Sequence, residues 1–179
     1  MEKTSNGCLK IAIVGPESTG KSTLAERLAN YYNEPWVPEV ARSYVSSLKR
    51  PYLLNDIVLM AELQLKAEED MMKKAKKFLF CDTTLLVHKI WADFVFQEIP
   101  DEISNKYITQ SYQLHLLCNI DLPWVYDPLR EHPGHRVELF NKYENDLKTS
   151  KANYFVINGN AEQRLENAVH FINSNNIKS

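Results

Sequence analysis

The sequence has no long apolar run, few cysteines and no surplus of either charge, and each shortage excludes a class of protein. No stretch of its 179 residues approaches the roughly 20 consecutive apolar residues that a membrane-spanning helix needs. The polar stretch from Met1 to Gly7 carries no apolar signal core, so neither membrane insertion nor export is expected. Three cysteines, Cys8, Cys81 and Cys118, are odd in number and lack any Cys-x-x-Cys spacing, which argues against a disulfide framework. Each falls in or beside an apolar segment, where a thiol serves as a small buried hydrophobe, and a reducing cytoplasm suits that use. A formal net charge of −2 gives no field that would gather nucleic acid or an anionic membrane surface. Small-molecule partners are expected instead. The one basic run, Lys73 to Lys77, is expected to close a long helix, where cations complement the negative end of the dipole.

What is present is a regular alternation of short apolar runs and helical periods. Leu9 to Val14 is a nearly continuous apolar run, the pattern of a strand covered on both faces, and it stops at Gly15. Leu24, Ala25, Leu28 and Tyr32 then recur at helical spacing. Further strands are expected within Glu34 to Val40, at Phe78 to Cys81, at Leu114 to Ile120 and at Tyr154 to Ile157. Helices are expected over the Leu54 to Leu65 period, the Leu86, Ile90, Phe94 face, Val137 to Leu147 and Ala161 to Ile172, the last opened by an Asn160 to Gln163 capping box. The pattern predicts one domain over residues 1–179 with a five-stranded parallel sheet and helices on both faces. One connection, Asp121 to Arg136, is rich in Pro, His and Arg and too long for a minimal turn, so it reads as a lid loop.

Residues 15 to 22, Gly-Pro-Glu-Ser-Thr-Gly-Lys-Ser, match the phosphate-binding pattern G-x-x-x-x-G-K-[ST] between a buried strand and a helix. With that motif the expected fold is the three-layer α/β P-loop NTPase fold. The glycines let main-chain N–H groups curl around phosphate oxygens, Lys21 reaches the β and γ phosphates, and Ser22 is a magnesium ligand. Gly15, Glu17, Ser18, Thr19, Gly20, Lys21, Ser22 and Thr23 are thus the candidate contacts to ATP. Glu17 is unusual, because a carboxylate inside an anion cradle repels phosphate unless it points away.

Asp82 closes the third strand, and ligands of parallel sheets gather beyond the carboxyl ends of strands. It is a candidate for the magnesium site or for proton transfer. Glu39 and Arg42 are expected in a loop over the same rim, Glu39 as a base for an acceptor hydroxyl and Arg42 as a partner of the phosphoryl group or the acceptor sugar. Arg130 and Arg136 lie in the lid loop, where guanidinium groups closing on the γ-phosphate would exclude water. Trp124, in the same loop, is the best candidate to stack on a flat base, ahead of Trp36 and Trp91. His132 and His135 sit at a metal-like spacing but without further ligands nearby, so zinc is not expected.

Taken together, Gly-Pro-Glu-Ser-Thr-Gly-Lys-Ser at 15 to 22, Pro-Glu-Val-Ala-Arg-Ser-Tyr at 38 to 44, Cys-Asp-Thr-Thr at 81 to 84 and Pro-Trp-Val-Tyr-Asp-Pro-Leu-Arg at 123 to 130 give a chain that resembles the ribosylnicotinamide kinase domain of the NadR family, among the P-loop nucleoside kinases and AAA-type ATPase domains. The resemblance runs from Leu9 to about Ile172. It implies an ATP- and Mg2+-dependent kinase acting on the 5′-hydroxyl of nicotinamide riboside. It also implies Glu39, Arg42 and Asp82 beside the ribose, Thr84 where the family often has a second acid, Trp124 and Asp127 on the substrate side, and Arg130 in the lid. A kinase for another nucleoside or nucleotide and a regulatory ATPase are the alternatives. A GTPase is disfavoured, since Cys118-Asn119-Ile120-Asp121 stands where a guanine-binding Asn-Lys-x-Asp would fall.

Overall fold

A computed structural model describes residues 7–174; the polar N-terminal stretch before Gly7 lies outside the described residues. The apolar runs form five parallel strands, β1 (Leu9–Val14), β2 (Trp36–Val37), β3 (Phe78–Asp82), β4 (Leu114–Cys118) and β5 (Tyr154–Ile157), in the order β2-β3-β1-β4-β5. The helices are α1 (Lys21–Tyr32), α2 (Val40–Ser47), α3 (Leu54–Met72), α4 (Leu85–Phe96), α5 (Asp101–Thr109), α6 (Arg136–Thr149) and α7 (Ala161–Ser174). Alternation along β1 sorts the two faces. Leu9, Ile11 and Ile13 pack with α1 and α7, whereas Ala12 and Val14 pack with Leu86 and Ile90 of α4 and Leu139 and Tyr143 of α6. This is the expected three-layer P-loop fold. The chain leaves β1 toward β2 and leaves β3 toward β4, in opposite directions, so the crevice between the carboxyl ends of β1 and β3 is a topological switch point.

The structure corrects three readings. First, α3 ends at Met72 before the lysine run; the main-chain N–H groups of Lys76 and Lys77 instead donate to Glu34 at 2.9 and 2.8 Å, fixing the approach to β3. Second, Arg42 lies in the first turn of α2, with Glu39 at the N-cap position, and not in a loop. Third, α5 was not expected. Only Ile103 of that helix is buried, so its apolar period is too weak to read, although Pro100 and the acidic pair Asp101 and Glu102 mark its start. The capping box of α7 is as expected, with Gln163 N–H donating to Asn160 Oδ1 at 3.1 Å and Asn160 N–H to Gln163 Oε1 at 3.0 Å.

At the end of β1 the chain must turn sharply against β4. A Cβ at Gly15 would lie 2.8 Å from the Cys118 carbonyl oxygen, and the residue sits at φ +136°, a conformation that side chains disfavour. Gly15→Ala is therefore expected to destabilise the fold by about 3 kcal/mol through clash and backbone strain, read as a loss in urea unfolding free energy.

Candidate active site

The loop from Gly15 to Gly20 is shaped by its own hydrogen bonds. Thr19 Oγ1 and Lys21 Nζ both donate to the Pro16 carbonyl, at 2.7 and 2.8 Å, and Ser18 and Gly20 take left-handed conformations at φ 55° and 77°. No side chain caps α1 at Gly20. Its first-turn N–H donors are thus left for an anion at the mouth of the loop.

The loop is anchored from behind by a residue that sequence reading missed. Arg164, 2% exposed, donates to the carbonyls of Gly159, Thr19 and Asn119 at 2.7, 3.0 and 3.0 Å, and pairs with Asp121. Asp121 in turn accepts the Gly159 N–H at 2.6 Å. The residues after β4 that stand in place of a guanine-binding motif therefore hold this arginine. No motif marks Arg164; an arginine on the buried stripe of a helix was the only signal.

From the loop, a cavity of about 230 Å3 extends between α2, α4 and the loop 121–136. Residues 15 to 23, Glu39, Arg42 and Arg130 all line it, together with Tyr52, Trp91, Phe94 and Glu131. Trp91 Nε1–H donates to the Tyr52 hydroxyl at 3.1 Å, and that hydroxyl donates to Glu131 Oε2 at 2.6 Å. Burial and the Glu131 carboxylate raise the Tyr52 pKa, keeping the phenol neutral. Tyr52 and Glu131 carry no recognisable motif and were not singled out from the sequence.

The loop 121–136 lies against the phosphate loop. Ser18 Oγ accepts the Val125 N–H at 2.9 Å and Glu17 accepts the N–H groups of Glu131 and His132, each at 3.3 Å. Arg130 Nη1 donates to the Val125 carbonyl at 2.6 Å and to Ser18 Oγ at 3.4 Å. Arg42 pairs with Asp127, whose other oxygen accepts the Leu129 N–H at 2.9 Å.

Other expected residues are placed differently. Arg136 donates to the Leu122 and Ile120 carbonyls at 2.8 and 3.1 Å and to the Ser18 carbonyl of the phosphate loop at 3.5 Å, joining the base of the lid to that loop. Trp124 lies outside the cavity wall, with the Arg136 guanidinium 6.0 Å from its ring centre; Trp91 occupies the wall instead. Thr84 is wholly buried as the residue preceding α4. His132 and His135 pack edge-on against Phe94, at 5.0 and 5.4 Å between ring centres.

Asp82 is 1% exposed and does not line the cavity. Neither carboxylate oxygen has a partner within hydrogen-bond distance, although the Ser22 hydroxyl and the Glu39 N–H lie close enough to favour its charged form. Burial first, then the Glu39 charge, push its pKa up to about 6, against the pull of the Lys21 ammonium. A buried carboxylate beside the first turn of α1, which carries Ser22, fits a divalent cation, since a hard cation takes oxygen ligands and would offset the burial cost.

These features define a P-loop nucleotide-binding protein. Residues 10–164 match the family model described as AAA domain, and the chain belongs to that family. It is 30% identical over 129 residues to the trifunctional NAD biosynthesis/regulator protein NadR of Salmonella typhimurium, a match covering 67% of this chain and 30% of that protein's length. Among solved structures, a NadR protein in complex with NR aligns at a TM-score of 0.78 and 20% identity over 93% of this chain and 51% of that one. Thymidylate kinase from Ehrlichia chaffeensis aligns at 0.66 and 13% identity over 93% and 99% of the two chains. Deoxyadenosine kinase from M. mycoides aligns at 0.60 and 18% identity, again over 93% and 99%. The fold is thus one shared with nucleoside and nucleotide kinases.

The raised Asp82 pKa has a definite sign for stability. Its folded value exceeds the unfolded one, so the folded state binds the extra proton and stability falls as pH rises from about 4 through about 6. Asp82→Asn is expected to gain on the wild type by on the order of 3 kcal/mol across that window, measured by urea unfolding at both ends.

Proposed function

We propose that this chain is an ATP-dependent kinase that phosphorylates the 5′-hydroxyl of nicotinamide riboside to nicotinamide mononucleotide. The observation that carries the reading is the cavity in which the phosphate loop meets a second compartment, with Glu39 also in its wall. That compartment is walled by Trp91, Tyr52 and Glu131. The ring of the riboside is flat and positively charged, and an aromatic wall with a carboxylate suits a cationic ring. The resemblance to the NadR kinase domain points the same way.

In this reading ATP lies with its β and γ phosphates in the loop, where main-chain N–H groups and Lys21 offset their charge. The 5′-oxygen attacks the γ-phosphorus while Glu39 takes the hydroxyl proton. The bond from that phosphorus to the bridging oxygen breaks, and ADP leaves with the electron pair. Glu39 is better placed than Asp82 as the base, because it lines the cavity and Asp82 does not. Arg130 follows the γ-phosphate from the lid, and Arg42 and Asp127 fix the acceptor side. Ser22 and Asp82 would hold magnesium, which neutralises phosphate charge when bound.

Incubation with magnesium, ATP and a panel of nucleosides and nucleotides tests the proposal. Turnover of the riboside to its mononucleotide, detected by mass spectrometry, is expected. Turnover only of a different nucleoside transfers the assignment to that acceptor, and hydrolysis stimulated by a protein but by no acceptor overturns it in favour of a regulatory ATPase. Lys21→Ala is expected to abolish use of ATP with every acceptor. Glu39→Gln should bind ATP normally and lose about 100-fold or more in kcat; unchanged turnover would move the base to Asp82.

A further inference from the structure

We infer that Glu17 is the positioning residue that latches the 121–136 lid onto the phosphate loop, so that the loop grips a triphosphate fully only when the acceptor compartment is closed. A carboxylate at this point of an anion cradle works against the loop's purpose unless its lone pairs are engaged elsewhere. Here they are. Glu17 Oε1 accepts the Glu131 N–H and Oε2 the His132 N–H, both at 3.3 Å, so one side chain of the loop holds two successive amides of the lid. Ser18 holds the lid at a second point through Val125. The two non-glycine positions in the middle of the motif thus serve the lid.

The latch also reaches the acceptor wall. Glu131, whose N–H meets Glu17, accepts the Tyr52 hydroxyl through its side chain, and Tyr52 accepts the Trp91 indole N–H. An acceptor that seats against this wall therefore stabilises the residue whose main-chain N–H binds Glu17. With the lid lifted, the Glu17 carboxylate loses both amides and faces the phosphates uncompensated, which loosens the grip. With the lid seated, the two amides offset part of its charge. The consequence for catalysis rests on the kinase reading; the latch itself does not.

The test compares wild type, Glu17→Gln and Glu17→Ala in two measurements. Amide hydrogen exchange on the nucleotide-free proteins is expected to show the Glu131 and His132 N–H groups exchanging about tenfold faster or more in Glu17→Ala, as loss of charge-assisted hydrogen bonds implies. Glu17→Gln, which retains one acceptor oxygen, should fall between, and the β1 and β4 amides should not change. In turnover with ATP and the riboside, the ratio of acceptor-independent hydrolysis to phosphoryl transfer should rise in the same order. Unchanged exchange at Glu131 and His132 in Glu17→Ala overturns the latch. Absence of transfer in the wild type overturns the kinase reading while the exchange result still decides the latch.

Discussion

One buried guanidinium sets the geometry on which the site depends. Arg164 fastens three main-chain carbonyls, one from the phosphate loop and the others from the segments that follow β4 and β5, while Asp121 supplies its counter-charge. A charge this deeply buried is tolerable only because its donors are met, and leaving those carbonyls unpaired would carry the full desolvation penalty. The capping box at Asn160 and Gln163 fixes the start of α7 and hence the position of the arginine one turn in. The phosphate loop is therefore held from behind by carbonyl contacts, which leaves its amides free for an anion in front.

The electrostatics of the site divide along the same lines. Lys21 and the uncapped end of α1 offer positive potential at the loop mouth, and Arg130 adds a guanidinium from the lid. Carboxylates surround this centre in different settings: Asp82 is buried and off the cavity wall, Glu39 lines the cavity, and Glu17 and Glu131 are engaged with the lid and with Tyr52. Each has a different environment, and the environments separate roles that the residue type alone does not. On the proposed reading Asp82 would serve a cation, Glu39 the acceptor hydroxyl, and Glu17 the main chain of the lid.

Much of this was legible in the sequence because it obeys local rules. The strands of the sheet are short apolar runs, the motif at 15 to 22 names its own fold context, and Glu39, Arg42 and Arg130 fall in the cavity wall as their positions after strands and in a long loop suggested. What escaped was whatever depends on contacts far apart in the chain. Arg164 meets Thr19 across most of the sequence, and Tyr52 meets Glu131 and Trp91 from three separate elements. Position in the lid suggests that Trp124 and Arg136 face the ligand, yet Arg136 directs its hydrogen bonds to the carbonyls of Ile120, Leu122 and Ser18. The lysine run after Met72 looked like a helix end because charge periodicity cannot distinguish a last turn from the turn that follows it.

The central claim is that a pre-shaped loop at the end of β1, braced by Arg164 and overlaid by residues 125–132, receives a nucleoside triphosphate. Amide chemical shifts recorded while a non-hydrolysable ATP analogue and magnesium are titrated in test it most directly. The account predicts that the largest changes fall on residues 15–23 with accompanying changes at 125–132. Saturable binding that leaves those amides unmoved, or no binding at millimolar nucleotide, would contradict it.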